Sequence, residues 1–330
     1  MCTNAHIARL QAVALAKETT SWTLSAWTKF RIPKESGVMK PIIESVTDTS
    51  GYWVIETNYD SQVSRETSQL NLKWIVDYTN IWLLLKATFW SETSTAKSAP
   101  NATVYDHLFT VLNSNNHPSL SAWWYDPVGT FTSTFNMVQS LKLTASMSEY
   151  VKFEVNLVGK KMTTASTPTV WYTSWNHQFL WRHVLLYTAD TEVGLDSATA
   201  IKLNSFELNI EKNIEMTWIW LEPDCFVNQN FVVSGNLEAL FTDNTTWLDL
   251  VRWANEKFFR IKILNTDATI WSTANPALEF TFAKAVFNEW DKSDDNDSIV
   301  TQTVWFIWHF NNTAGYSVKS KLTNLQTAVY

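Results

Sequence analysis

Long stretches of the chain alternate apolar and polar residues with a period of two. In SFELNI, Phe206, Leu208 and Ile210 share one face, and in YVKFEVNLV, Val151, Phe153, Val155 and Leu157 alternate against Lys152, Glu154 and Asn156. Such alternation predicts half-buried β-strands. The most continuous block is residues 201–264. It holds IKLNSFELNI, a loop at Pro223 and Asp224, the run FVVSGNLEALF, a short helical candidate TTWLDLVRWANEK and a strand FFRIKIL. The clearest hairpin joins MVQSLKLTAS to YVKFEVNLVGKK through Met147, Ser148 and Glu149, with Gly159 at a bulge or strand end.

Other segments read less regularly. A short helix is expected within residues 5–17, KFRIP as extended chain, and the punctuated stretch to Ser50 as a loop or reaching arm. YWVIETNYDSQV and LNLKWIVD read as strands. DYTNIWLLLKATFW reads as a helix with Ile81, Leu84, Leu85 and Phe89 on one stripe. Residues 162–200 are linker-like, with a short strand in HVLLYTAD. ALEFTFAKAVF and IVTQTVWFIWHF read as further strands. YSVKSKLTNLQTAVY has too little apolar content to stand alone and is expected to cover an edge or reach a partner. The two halves follow a similar order: strand, strand, short helix, more strands. We therefore expect a mainly β chain, with one β-unit present in two tandem copies, divided as residues 1–195 and 196–330.

The chain has 330 residues and a net charge of -7, with 25 Lys plus Arg against 32 Asp plus Glu. That length can bury a large core. The charge argues against a general nucleic-acid binder, which carries a basic face. Two cysteines, Cys2 and Cys225, cannot make a disulfide scaffold. The amino-terminal sequence lacks a signal-peptide h-region, and IWLLLKATFW is too short to span a bilayer, so no membrane role is expected.

No catalytic motif is present: GxSxG, HExxH, a P-loop and CxxC are all missing, and no cofactor is expected. His107 and His117 lie near Asp106 and Asp126, but neither spacing nor ligand set matches a metal site. The acidic stretch DKSDDND, residues 291–297, lacks the glycine and closing glutamate of a calcium loop and reads as a solvated connection. Glu154, Glu207 and Glu238 sit on polar strand faces.

One feature of the composition is abnormal. There are 19 tryptophans and only 7 glycines, where glycine usually makes up about 7% of a chain. Trp22, Trp27, Trp90, Trp175 and Trp247 occupy turn-like contexts that suit glycine. Two readings follow. Many of these codons are UGA read as glycine in the source, or the surface is truly rich in aromatic subunit anchors.

The sequence resembles the major tail tube proteins of tailed bacteriophages over residues 17–330. The resemblance is carried by VYDHLFTVLNSNNHPSLS, the SLKLTAS/YVKFEVNLVGKK hairpin, SFELNIEKNIE, FVVSGNLEALFTD, FRIKIL and TVWFIWHF. It departs at Trp82, Trp90, Trp175, Trp218, Trp220 and Trp305, where such proteins more often have glycine. This agrees with a phage whose code reads UGA as glycine.

The resemblance implies a tail-tube-like β-sandwich or split barrel with flanking short helices. Its sheets would join those of neighbours into rings, and the rings would stack into a hollow tube through which genomic DNA is ejected. A chain with two tube units would form a trimeric, pseudo-sixfold ring, and a single unit a hexamer. It implies Glu154, Glu207 and Glu238 as candidates for the lumen face, arms from residues 1–50 or 162–177 reaching adjacent rings, and tail terminator, baseplate or tape measure proteins as partners. Assembly would occur in the host cytoplasm and the product would reside in the virion tail. Other β-rich virion components (baseplate, head–tail joining or decoration proteins) and a carbohydrate-binding β-protein remain alternatives at this point.

Overall fold

A computed structural model describes residues 8–26, 29–50, 55, 57–58, 60–114, 117–166, 169, 177–241, 247–248, 251, 257–293 and 299–327. Its eighteen strands pair antiparallel throughout. In chain order the first set is β1 (Ala12–Lys17), β2 (Phe30–Ile32), β3 (Ser36–Asp48), β4 (Asp60–Ile75), helix α1 (Ile81–Phe89), β5 (Trp90–Ala96), β6 (Tyr105–Val111), β7 (Leu120–Tyr125), β8 (Thr130–Ala145), β9 (Lys152–Gly159) and β10 (Thr163–Ala165). The second set is β11 (Val184–Ala189), β12 (Ile201–Lys202), β13 (Ser205–Trp218), β14 (Pro223–Leu240), β15 (Lys257–Leu264), β16 (Ala277–Lys292), β17 (Thr301–Trp308) and β18 (Val318–Asn324).

The two sets repeat one wiring. The pairs β1–β2, β1–β7, β3–β4, β4–β9, β7–β8, β8–β9 and β8–β10 recur as β11–β12, β11–β15, β13–β14, β14–β17, β15–β16, β16–β17 and β16–β18. Even the irregularities recur. β7–β8 slips between Leu120 and Ala122, and β15–β16 slips between Lys257 and Phe259. β8 slips against β9 around Gln139, and β16 slips against β17 around Asn288. Bulges fix register and bend the strand, so two matching slips give a residue-by-residue correspondence. Lys142 matches Asp291, and Asn209 matches Lys40. The hairpin β5–β6 is an addition to the first unit. β6 joins the second unit by pairing with β18.

The units fuse in one sheet. Its order is β3-β4-β9-β8-β13-β14-β17-β16, with β8–β13 as the junction. The first halves of β8 and β16 leave this wall for smaller sheets. β8 there pairs with β7 and β10, and β16 with β15 and β18. The inner face of the wall carries Leu141, Leu143, Phe153, Val155, Phe206, Leu208, Ile210, Val304 and Phe306, each no more than 2% exposed, all in one contiguous core. Burying each such side chain stabilises by roughly 1.5–3 kcal/mol. Helix α1 is buried on eight of its nine residues, so the apolar stripe expected from sequence extends almost all round. Asp77 Oδ1 accepts the N–H groups of Thr79 and Asn80, both at 2.8 Å, just ahead of it.

Several expectations are corrected. Of the segment expected as a helix, residues 5–17, the described part is a single 3-10 turn at Ala8–Leu10 followed by β1, whose AVALAK run is buried between β2 and β7. A strand covered on both faces is continuously apolar and shows no alternation. The expected loop before Ser50 is β3, a strand of 13 residues paired along its length with β4. It lies at a sheet edge, where Pro41 is tolerated. YSVKSKLTNLQTAVY supplies β18, an inner strand between β16 and β6 rather than an edge cover. Asp291 and Lys292, expected in a loop, end β16, and residues 294–297 of that stretch lie outside the described residues.

The MVQSLKLTAS/YVKFEVNLVGKK hairpin, α1 and the strand in HVLLYTAD form as expected, and β9 ends at Gly159. Of YWVIETNYDSQV, residues 51–54, 56 and 59 are outside the described set; the rest leads into β4. Most of the TTWLDLVRWANEK helix and of the 162–177 arm is likewise outside it.

Candidate assembly surface

The outer face of the eight-stranded wall is polar. Paired residues on neighbouring strands share a face, so the registers place Lys40, Lys73, Glu154, Lys142, Glu207, Glu211, Glu238, Glu289 and Asp291 together on it. All three glutamates singled out from sequence lie here. Glu154 on β9 is flanked by Lys73 on β4 and Lys142 on β8 in one cross-strand row. Lys142 Nζ reaches Glu207 Oε1 at 2.7 Å across the junction. Glu238 pairs across with Ser205 and Thr303, and accepts a hydrogen bond from Ser205 Oγ at 2.8 Å. The face therefore carries interleaved charges and amides with an acidic excess, together with exposed apolar side chains at Val38, Ile42, Val46, Val232 and Ile307 in the same registers.

The wall has two bare borders. Among the described residues, β3 pairs only with β4, and residues 287–292 of β16 pair only with β17. An edge of unpaired amides and carbonyls is a template for another strand. Val38, Ile42, Ile43 and Val46 on β3 are exposed large apolar side chains beside that edge. Sequence reading missed both borders. Pro41 hid β3, and the acidic run after Asp291 hid the end of β16. The alternation in VMKPIIE was the available signal.

Behind the wall sits a buried polar network that ties the β5–β6 addition to both units. Glu92 Oε1 accepts from Trp82 Nε1 at 2.9 Å and Ser94 Oγ at 3.0 Å and lies 2.9 Å from His107 Nδ1, while Oε2 meets Lys86 Nζ at 2.7 Å. Burial pushes the Glu92 carboxyl up, but the bond with His107 and the Lys86 ammonium outweigh it and hold the group at about 2. His107 Nε2 meets Asn324 Oδ1 of β18 at 2.8 Å, and Asn324 Nδ2 donates to Tyr78 O at 3.2 Å. His107 is thus engaged with Glu92, and Asp106 instead bonds Thr323 and Lys97. No group of three potential ligands that could hold a metal occurs among the described residues. Lys212, on the inner face of β13, is buried, donates to Ala87 O at 2.8 Å and lies 4.1 Å over the Trp90 ring. Burial drives its pKa well down.

Two tryptophans hold a left-handed backbone, Trp22 at φ 77° and Trp90 at φ 73°. Others behave as ordinary aromatics: Trp82 donates to Glu92, and Trp247 packs in the core. Trp27 and Trp175 are outside the described residues.

The described residues thus form a duplicated β-wall with a polar outer face and two bare borders. A family model for the phage tail tube protein matches residues 8–285, and the chain belongs to that family. It is a structural protein of the virion tail. No curated protein matches the chain. No helix among the described residues is long and apolar enough to cross a membrane.

Proposed function

We propose that copies of this chain join border to border into closed rings, and that the rings stack into the hollow tube through which phage genomic DNA is ejected. The single observation that carries this reading is the duplication. The chain already contains one unit-to-unit seam, β8–β13, and ends in the two borders that a repeat of that seam would use. Closing such borders into a ring covers both bare borders of the wall. A head-to-tail contact closes within the ring, while stacking extends along the axis.

With two units per chain, three copies give the six equivalent positions of the pseudo-sixfold ring. The polar face bearing Glu154, Glu207 and Glu238 lines the lumen. Its acidic excess keeps a polyanion sliding rather than bound, so DNA passes without sequence preference. Tail terminator, baseplate and tape measure proteins meet the tube at its ends and inside it, and the tube assembles in the host cytoplasm.

Electron microscopy of the purified chain across a concentration series tests the proposal. Stacked annuli with three copies per ring support it. A sample that remains monomeric at every concentration contradicts it.

A further inference from the structure

The repeat allows the seam between copies to be written residue by residue; this step rests on the ring reading above. Inside the chain, β8 meets β13 with Ser140, Leu141, Lys142, Leu143 and Thr144 opposite Glu211, Ile210, Asn209, Leu208 and Glu207. The matched slips at Gln139 and Asn288 carry β8 onto β16, and the matched registers of β3–β4 and β13–β14 carry β13 onto β3. We infer that β16 of one copy pairs antiparallel with β3 of the next, with Glu289, Trp290, Asp291 and Lys292 opposite Ile42, Pro41, Lys40 and Met39.

Two features that were not used to build the mapping favour a second copy as the occupant. The alignment places the Asp291 carboxylate directly opposite the Lys40 ammonium, with Glu289 two residues along on the same face, so charge is complementary where the mapping could have set like against like. Both borders are bare over the required length among the described residues. Pro41 offers no amide, so the ladder runs one hydrogen bond short there. A proline at this edge also discourages pairing with foreign strands.

The test replaces Cys2 and Cys225 with serine and introduces Lys40→Cys with Asp291→Cys, alongside a displaced control, Val46→Cys with Asp291→Cys. Directly opposed positions fall within disulfide reach; the control, six residues along the strand, does not. Mild oxidation of assembled protein should link copies in the first variant only, the closed product being a covalent trimer. Links in the control and none in the first variant, on rings still visible by microscopy, would overturn the register while leaving the ring intact. Failure of the cysteine-free parent to form rings would instead sink the ring reading. As a second readout, Lys40→Asp or Asp291→Lys alone should weaken assembly at least several-fold, and the two together should restore it. Equal assembly by all three would also overturn the pairing.

A different observation carries a second inference. Trp90 ends α1 with φ 73° and its N–H on Lys86 O, the place where glycine closes helices, and Trp22 holds φ 77°. Trp308 occupies the position matched to Gly159. The indole Nε1 atoms of Trp90 and Trp308 are buried without a hydrogen-bond partner. With 19 tryptophans against 7 glycines, we infer that residues 22, 90 and 308 are glycine in the protein made by the virus, their UGA codons being read as glycine. Peptide masses from native virions, set beside the gene's codons, decide this. Glycine masses at UGA codons support it, and tryptophan masses or UGG codons at these positions overturn it.

Discussion

Lys142 of the first unit and Glu207 of the second meet at 2.7 Å across the β8–β13 seam. Both are about one-third exposed, so the pair is worth under about 1 kcal/mol. Lys142→Glu places an acid beside Glu154 and Glu207 and should lower stability by roughly 0.5–1 kcal/mol. Adding Glu207→Lys should recover most of it. Chemical denaturation of Lys142→Glu, Glu207→Lys and the double variant beside the native chain checks the cycle.

Glu92 makes a sharper prediction because its partners are buried. Glu92→Gln leaves the Lys86 ammonium unpaired and should cost about 3 kcal/mol at pH 7. The folded-state value of about 2 lies below the usual 4.5. The carboxylate's contribution is therefore present above pH 4.5 and lost as pH falls toward 2. The gap between the native chain and Glu92→Gln should shrink over that window in urea melts.

Lys212 destabilises where Glu92 stabilises, yet its pH slope has the same sign. Its folded-state pKa lies well below 10.5, so between the two values the unfolded chain binds more protons and stability rises with pH. Lys212→Met should remove this slope and be more stable at pH 7 by about 1–4 kcal/mol. Thermal melts from pH 6 to 10 measure both effects.

Gly235 lies where β13 and β17 close over β14. A Cβ there would overlap the carbonyl oxygen of Glu207 and stand 2.7 Å from Phe306 Cζ. Gly235→Ala should destabilise by about 1–3 kcal/mol through overpacking, read as a lower denaturation midpoint with unchanged m-value.

The lumen assignment predicts a change in DNA behaviour without a change in fold. Glu154→Lys together with Glu238→Lys should make tubes retain DNA at low salt and release it at high salt, because added cations bind phosphate through counterion release. A filter-retention assay over a salt series reads this, with the native tube passing DNA throughout.

Much of this architecture was visible in the residue pattern where one strand face is wet. Val151, Phe153, Val155 and Leu157 against Lys152, Glu154 and Asn156 gave β9 and its polar face directly. β1 was hidden because burial on both faces erases alternation, and AVALAK suits helix and strand alike. β3 was hidden because an edge strand tolerates Pro41 and exposes both faces. The repeat was visible as an order of elements, but its first strand was not, because the registers match β13 to β3, a stretch whose Pro41 and polar residues read as a loop. The seam could not be read from sequence, since it depends on slips at Gln139 and Asn288 that pairing alone reveals. The Glu92 network was equally hidden, because His107 and Asn324 meet across 217 positions of chain.

The central claim is that one chain's wall continues into the next. A cryo-electron microscopy map of the assembled tube, at a resolution that separates strands, tests it most directly. The account predicts β16 hydrogen-bonded to β3 of the neighbouring copy, with Asp291 beside Lys40 and Glu154 facing the channel. A map in which those borders stay unpaired, or in which the charged face turns outward, would contradict it.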